Sequence, residues 1–384
     1  MAFGTAQAQF AQRPERELPP GGIRSAQHDF RIVTVAEGLV NPWSMAWLPN
    51  GDLLVTEKAG SIRTIRNGTV SAPMANVPAV NSTGQGGLFD IVLHPDYDEN
   101  GWVYISFAKP LNDQGVAATT VIRARIRDNA LVDIEEIYEA NAKVQSAGHY
   151  GARIAFDEDN YMFVASGERM APTTGDLTQH PAQQTDNHSG AIVRLHDDGS
   201  VPDDNPFVGR AGYDPAVWSY GHRNPQGLVY DAETGNLWST EHGPQGGDEL
   251  NLIQPGLNYG WPVIGYGANY GSGTEIHTEG REKEGMQQPV AFWVPSIAPS
   301  GLMIYTGDQF PQWRGNLFAG GLSADHGRLS RITVNGTTVS GREPLLMKQY
   351  RIRDVRQGPD GFIYVATDHR FGQPTAIIRL EPIE

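Results

Sequence analysis

The residues best suited to chemistry gather in one run, WSYGHRNPQGLVYDAETGNLWSTEHGPQGGDELNLIQPGLNYGWP, residues 218–262. It opens with Arg223 and Asn224 on a His-Arg-Asn-Pro turn. A second polar turn, EHGPQGGDE, starts at Glu241, and an aromatic stop closes the run at Pro262. Glycines let a backbone come close to a ligand, and carboxylates beside carbonyl-rich turns suit a hard, oxygen-loving cation. A surface loop held by its own hydrogen bonds is the plainer reading. The density of glycines and polar side chains between apolar strands favours binding.

Other segments carry chemistry too. In GHYGAR (148–153), His149 sits in a glycine turn with Arg153 four residues on. That provides what a general base needs, a fixed imidazole titrating near neutrality. Gln85 lies among glycines in NSTGQGG (81–87), where its amide can reach a ligand, while His94, in a strand-end turn, is assigned to packing. The polar stretch 168–190 reads as a lid or binding loop. Its His180 and His188 match no helical ligand spacing and are expected to be exposed. In RIRDVR (351–356), Arg351 and Arg353 share one strand face, and so many arginines in an acidic chain invite an anionic ligand.

Residues this far apart need a scaffold that gathers them. A pattern recurs six times, a polar Asp/Asn/Gly turn followed by an alternating apolar run: PNGDLLVTEKAG from Pro49, YDENGWVYISFAK from Tyr97, FDEDNYMFVASGE from Phe156, YDAETGNLWSTEHG from Tyr230, FPQWRGNLFAGGL from Phe310 and GPDGFIYVATDHR from Gly358. Such a unit cannot bury its own face, and radial repetition of four-stranded blades solves this. A β-sandwich competes, but six copies at long spacing favour an all-β, six-bladed β-propeller. No convincing helix-period segment appears. Residues 30–384 form one domain in this reading, with the closing segment 376–380 pairing with 30–34 to complete the ring. Residues 1–29 are expected to be disordered or the remnant of an export signal, with small residues at Thr5–Ala8 resembling a cleavage end.

Composition narrows the function. Across 384 residues, 45 glycines and 26 prolines suit many turns and short strands. A net charge of -15 argues against nucleic acid and anionic membrane as partners. The absence of cysteine removes disulfides and thiol chemistry, and no apolar run reaches membrane-spanning length, so no membrane insertion is expected.

The words GHRNPQG (221–227), EHGPQGGDELN (241–251) and NYGWP (258–262) resemble those of the soluble quinoprotein glucose/sorbosone dehydrogenase family, in particular its aldose sugar dehydrogenase branch. The resemblance runs from about Gly38 to near the C-terminus. It implies a six-bladed propeller carrying pyrroloquinoline quinone (PQQ) and Ca2+, which oxidises the C1 hydroxyl of an aldose sugar to the lactone and passes electrons to a further acceptor. It also implies a periplasmic or secreted protein, and a monomer or weak homodimer is expected.

Carried over residue by residue, the resemblance makes His149 the catalytic base, with Arg153 orienting or structural. Gln85 touches cofactor and sugar. Arg223, Asn224, His242, Tyr270, Arg351 and Arg353 bind the quinone. The carbonyls of Gly243 and Pro244 hold the catalytic calcium, while Glu249 and the backbone of Tyr259 hold a structural one, with Asp248 nearby. Two positions depart from the family's pattern. Gly148 stands where the glucose-oxidising branch has an acidic residue, so support for the imidazole must come from elsewhere. Ser323 stands where the family has a lysine that approaches the quinone, with Arg328 or His326 as candidates to replace it. A calcium-dependent lactonase on the same fold, and a non-enzymatic sugar- or protein-binding propeller, are the rival readings.

Overall fold

Each of the six repeated runs becomes the second strand of its own antiparallel sheet: Leu53–Glu57, Val103–Pro110, Met162–Ser166, Asn236–Glu241, Leu317–Gly321 and Ile363–Asp368. The computed structural model describes residues 17–368 and 375–383. In each sheet the preceding strand is innermost: Pro42–Trp47, Leu88–Leu93, Ile154–Phe156, Pro225–Asp231, Pro299–Ile304 and Arg351–Gln357. Each inner strand touches the next, and the last touches the first, so six blades close a ring. Among the described residues the only α-helix is the single turn Tyr97–Asn100. Helix is nearly absent because period-two patterning runs throughout.

The second strands are buried on both faces, as Ile363–Asp368 illustrates, because each blade packs against two neighbours. The ring closes as expected, with Ala376–Pro382 pairing with Phe30–Glu37 in register Ile32 to Leu380 and Thr34 to Ile378. The domain's start needs correction. Gly22–Ile23 adds an outer strand to Phe30–Glu37, Gln27 accepts from Arg331 at 2.8 Å, and His28 packs edge-on against Trp313 at 5.3 Å. Packing therefore begins before Phe30, since an outermost strand needs a cover. The expectation for residues 1–16 lies outside the described residues.

The ring's axis is filled by charge. Arg153 pairs with Asp90 at 3.3 Å and Asp354 at 3.0 Å, and Arg356 pairs with the same two at 2.8 and 3.0 Å. Both aspartates are fully buried. They also accept backbone N–H groups, Asp90 from Ile154 at 2.9 Å and Asp354 from Met45 at 3.2 Å. Arg153 donates to the carbonyls of Gln226 at 2.8 Å and Arg353 at 3.3 Å. Removing one partner of a buried ion pair leaves an uncompensated charge, typically costing about 3–5 kcal/mol. Asp354→Asn is expected to lower unfolding stability by about that amount in a urea titration. A loss below ~1 kcal/mol would mean that this cluster does not hold the blades.

Candidate functional site

Loops that enter inner strands and loops that leave second strands emerge at the same end of the ring. Gln85, His149, Arg223 and Arg351 precede or begin inner strands, while Glu168 and His242 follow second strands. Topology thus brings together residues far apart in sequence.

His149 is buried, and its Nδ1 is hydrogen-bonded to the carboxylate of Glu168. A carboxylate there accepts, so Nδ1 carries the proton and Nε2 is left with its lone pair. The His149 backbone N–H donates to Gln85 Oε1 at 2.9 Å. Burial pushes the imidazole's pKa below its ordinary value, Glu168 opposes this, and the Arg223 charge adds to the drop. The support missing at Gly148 therefore comes from Glu168, 19 residues along the chain. An acidic side chain at Gly148 would have to displace Met170 and Gln85, since a Cβ there would lie 2.7 Å from Met170 Sδ and 2.8 Å from Gln85 Oε1.

Arg223 and Asn224 tie the adjacent blades. The Arg223 N–H donates to Glu241 Oε2 at 2.6 Å, and its guanidinium donates to the Gly243 carbonyl at 2.8 Å. Its Nε is buried without a partner among the described residues. Asn224 Oδ1 accepts from Gly151 N–H at 3.2 Å. His242 Nε2 donates to the Pro299 carbonyl at 2.6 Å, and burial with the Arg223 charge holds its pKa down to about 3, so it stays neutral. Arg351 and Arg353 both pair with Asp368. Burial, with Arg351 nearby, lowers the Arg353 pKa to about 10, so the guanidinium remains charged at neutral pH.

A cavity of about 20 Å³, room for a single water or ion, lies among Arg223, Glu241, Gly243, Pro244, Glu249 and Tyr259. Burial raises the Glu249 pKa well above its ordinary value, and the nearby Glu241 carboxylate raises it further. Asn251 Nδ2 bridges the two at 2.9 and 3.1 Å. Asp248 instead faces away, tying Ile297 and Ala298 N–H groups at 2.7 and 2.9 Å.

Not every expected residue joins the group. Tyr270 is 69% exposed, although its loop bonds Gln245 through Gly271 at 3.1 Å. Ser323 lies beside Leu322, whose carbonyl accepts from Arg351 at 3.1 Å, whereas Arg328 donates to the His326 carbonyl and faces Arg342. Arg328 thus sits in a different cationic neighbourhood from Arg351. His180 and His188 prove buried and structural. His180 Nδ1 accepts from Ala182 N–H at 3.2 Å, and His188 lies 3.1 Å from Asp214, because loop 168–190 folds into two short turns rather than standing free. His94, as expected, is buried, with its Nδ1 accepting from Asp96 N–H at 2.9 Å.

Glu168 and Glu241 were not singled out by sequence reasoning, yet a signal exists. Four second strands end in, or within two residues of, a carboxylate: Glu57, Glu168, Glu241 and Asp368. Lys58, also overlooked, is half-buried within electrostatic reach of Arg353 and Asp368.

Residues 39–379 match the family model described as Glucose / Sorbosone dehydrogenase. The chain belongs to the glucose/sorbosone dehydrogenase family. Within it, the aldose sugar dehydrogenase YliI of Escherichia coli is 40% identical over 348 residues, covering 89% of this chain and 91% of that protein. Quinoprotein glucose dehydrogenase B of Acinetobacter calcoaceticus is 27% identical, covering 91% and 88%. The PQQ-bound aldose sugar dehydrogenase of Streptomyces coelicolor superposes with a TM-score of 0.73 at 30% identity, covering 92% and 98%.

The residues present fit the groups that the sequence resemblance implies. A buried, unpartnered guanidinium nitrogen on Arg223, with Arg351 and Arg353 across the ring, suits a polycarboxylate. Among the described residues no cluster of three His, Asp or Glu side chains is arranged to hold a metal. The donor set for a cation is instead main-chain carbonyl plus carboxylate, which suits calcium. Like-charge repulsion between Glu241 and Glu249 gives such a cation something to relieve. Calcium is expected to raise the thermal midpoint of the protein, and Glu249→Gln to diminish that rise while leaving the calcium-free protein as stable as before or more so. An undiminished calcium shift in Glu249→Gln would remove Glu249 from the site.

Proposed function

We propose that this protein is a PQQ-dependent aldose sugar dehydrogenase that oxidises the C1 hydroxyl of an aldose to the lactone. The observation that carries the reading is the setting of His149: Nδ1 is locked by buried Glu168, which leaves Nε2 as a neutral base beside Arg223. When bound, PQQ supplies a two-electron acceptor and calcium a Lewis acid.

The chain's own residues supply the rest. His149 takes the proton of the anomeric hydroxyl on Nε2, and Glu168 stabilises the imidazolium that forms. Gln85, whose Oε1 holds the His149 N–H, is fixed at the same corner and orients the sugar. Arg223, Asn224, neutral His242, Arg351 and Arg353 would hold the cofactor, with Tyr270 as a further aromatic contact. Gly243 and Pro244 offer carbonyls to the catalytic calcium, and Glu249 with the Tyr259 backbone offers the structural site. The lactonase reading is disfavoured because the two axial aspartates, whose oxygens a central metal would need, are each paired with two arginines. Export to the periplasm or beyond, and a monomeric or weakly dimeric state, complete the proposal. Among the described residues no helix is long and apolar enough to cross a membrane.

Reconstitution with PQQ and calcium, assayed with a panel of aldoses and an artificial dye, tests the activity. In the loaded enzyme His149→Ala is expected to retain cofactor and lose turnover by roughly 10²–10⁴. Near-wild-type turnover would remove the role of His149. Since burial lowers the pKa of His149 from 6.5, the base form persists further into acid. The acidic limb of kcat/KM is therefore expected below pH 6.5. A limb above that value would contradict the assignment.

Ser323 gives a second test. A lysine ammonium near an anionic quinone contributes about 1.5–3 kcal/mol. Since Arg328 faces Arg342, it is not expected to replace that contact. Ser323→Lys is expected to tighten PQQ binding by roughly tenfold to a hundredfold, with Arg328→Ala neutral in the same titration. Weakened binding in Arg328→Ala would reverse the assignment.

A further inference from the structure

Arg169 directly follows the carboxylate that holds His149, and its whole side chain is committed to the turn from which His149 projects. The guanidinium is buried and donates to three carbonyls: Ala117 at 2.7 Å, Gly148 at 3.0 Å and Ser146 at 3.0 Å. Its plane lies over the Tyr150 ring at 3.7 Å, and its backbone N–H donates to the His149 carbonyl at 3.3 Å. Three residues at this contact are non-glycine with positive φ: His149 at 50°, Arg169 at 62° and Met170 at 57°. Such conformations persist only where their surroundings over-determine them. Gly167 closes the contact from the other side, since a Cβ there would lie 2.3 Å from the His149 carbonyl oxygen.

A buried guanidinium with three carbonyl acceptors is a costly device for holding one short turn, and lysine cannot reproduce its fork. We propose that Arg169 is a positioning residue for His149: by fastening the carbonyls of Ser146 and Gly148 it holds the imidazole where Nδ1 meets Glu168. The groups facing His149 are Glu168 and Arg169 from its own blade, with Arg223 and His242 from the next. Of these Arg169 alone grips the turn itself. The rate effect rests on His149 being the base, as proposed above; the placement of the imidazole does not.

The test uses full-length Arg169→Met and Arg169→Lys. In protein without cofactor, proton NMR reads the downfield imidazole N–H of the His149–Glu168 bond, identified by its absence in His149→Ala. In protein loaded with PQQ and calcium, kcat and KM are read with glucose. Arg169→Met is expected to lose that resonance and to lower kcat roughly tenfold to a hundredfold, with little change in KM. Arg169→Lys should fall between it and wild type. A folded Arg169→Met with the wild-type resonance and kcat would overturn the proposal. If Arg169→Met does not fold, Arg169→Lys decides, and a wild-type resonance there overturns it equally. If loaded wild type oxidises no aldose, the proposed function fails, while the NMR result still decides the role of Arg169.

Discussion

Four charges at the ring axis, Asp90, Arg153, Asp354 and Arg356, are the constraint on which the other features depend. Taking them out of water costs several kcal/mol per ion, and the cost is recovered only with complete pairing and hydrogen bonding. The pairing here is alternating, and backbone groups fill remaining valences: Ile154 and Met45 N–H groups donate to the aspartates, and the Gln226 and Arg353 carbonyls accept from Arg153. Five inner strands are bound this way. The remaining one joins through Ser300 Oγ, which donates to the Ile352 carbonyl at 2.6 Å.

The same segments carry the candidate site. Arg153 lies four residues beyond His149, and Arg353 immediately precedes Asp354. An axis fixed by ion pairs therefore fixes the points from which the base and the cofactor-facing arginines depart. One level above it, carboxylates at the ends of second strands repeat the theme. Glu57 takes Arg63 and the Val40 N–H, Glu168 takes His149, Glu241 takes His222 and the Arg223 N–H, and Asp368 takes two arginines. Four of the six blade ends use an acid in this way, and three of them hold proposed reacting or cofactor-binding groups.

The fold was readable because period-two patterning and turn chemistry are local, and each of six runs became a second strand in register with the others. What sequence withheld was lateral. Glu168 reaches His149 across a turn, and nothing in GERMAP distinguishes a carboxylate that faces an imidazole from one that faces water. His180 and His188 looked exposed because a polar loop conceals its own folding, and only the packing of Leu177 and Ala182 reveals it. Gly22–Ile23 was missed since a two-residue edge strand has no period to detect. Tyr270 was named by its motif, yet its position depends on a loop whose contacts are mostly its own.

The pairing of Phe30–Glu37 with Ala376–Pro382 has a consequence for how the chain reaches this state. Five blades are assembled from consecutive strands and can form as the chain emerges. The sixth cannot, because its fourth strand, Phe30–Glu37, precedes all the other blades and its third, Ala376–Pro382, follows them. Closing a loop of this length costs roughly 5 kcal/mol of chain entropy, and it must be met in the final step, when the axial aspartate and arginine of the last inner strand also arrive. Until then Asp90 and Arg153 are only partly compensated. The ring is thus a single cooperative unit whose completion waits for Ala376–Pro382, and a chain stopped before the last three strands is left with an open edge on either side of the gap.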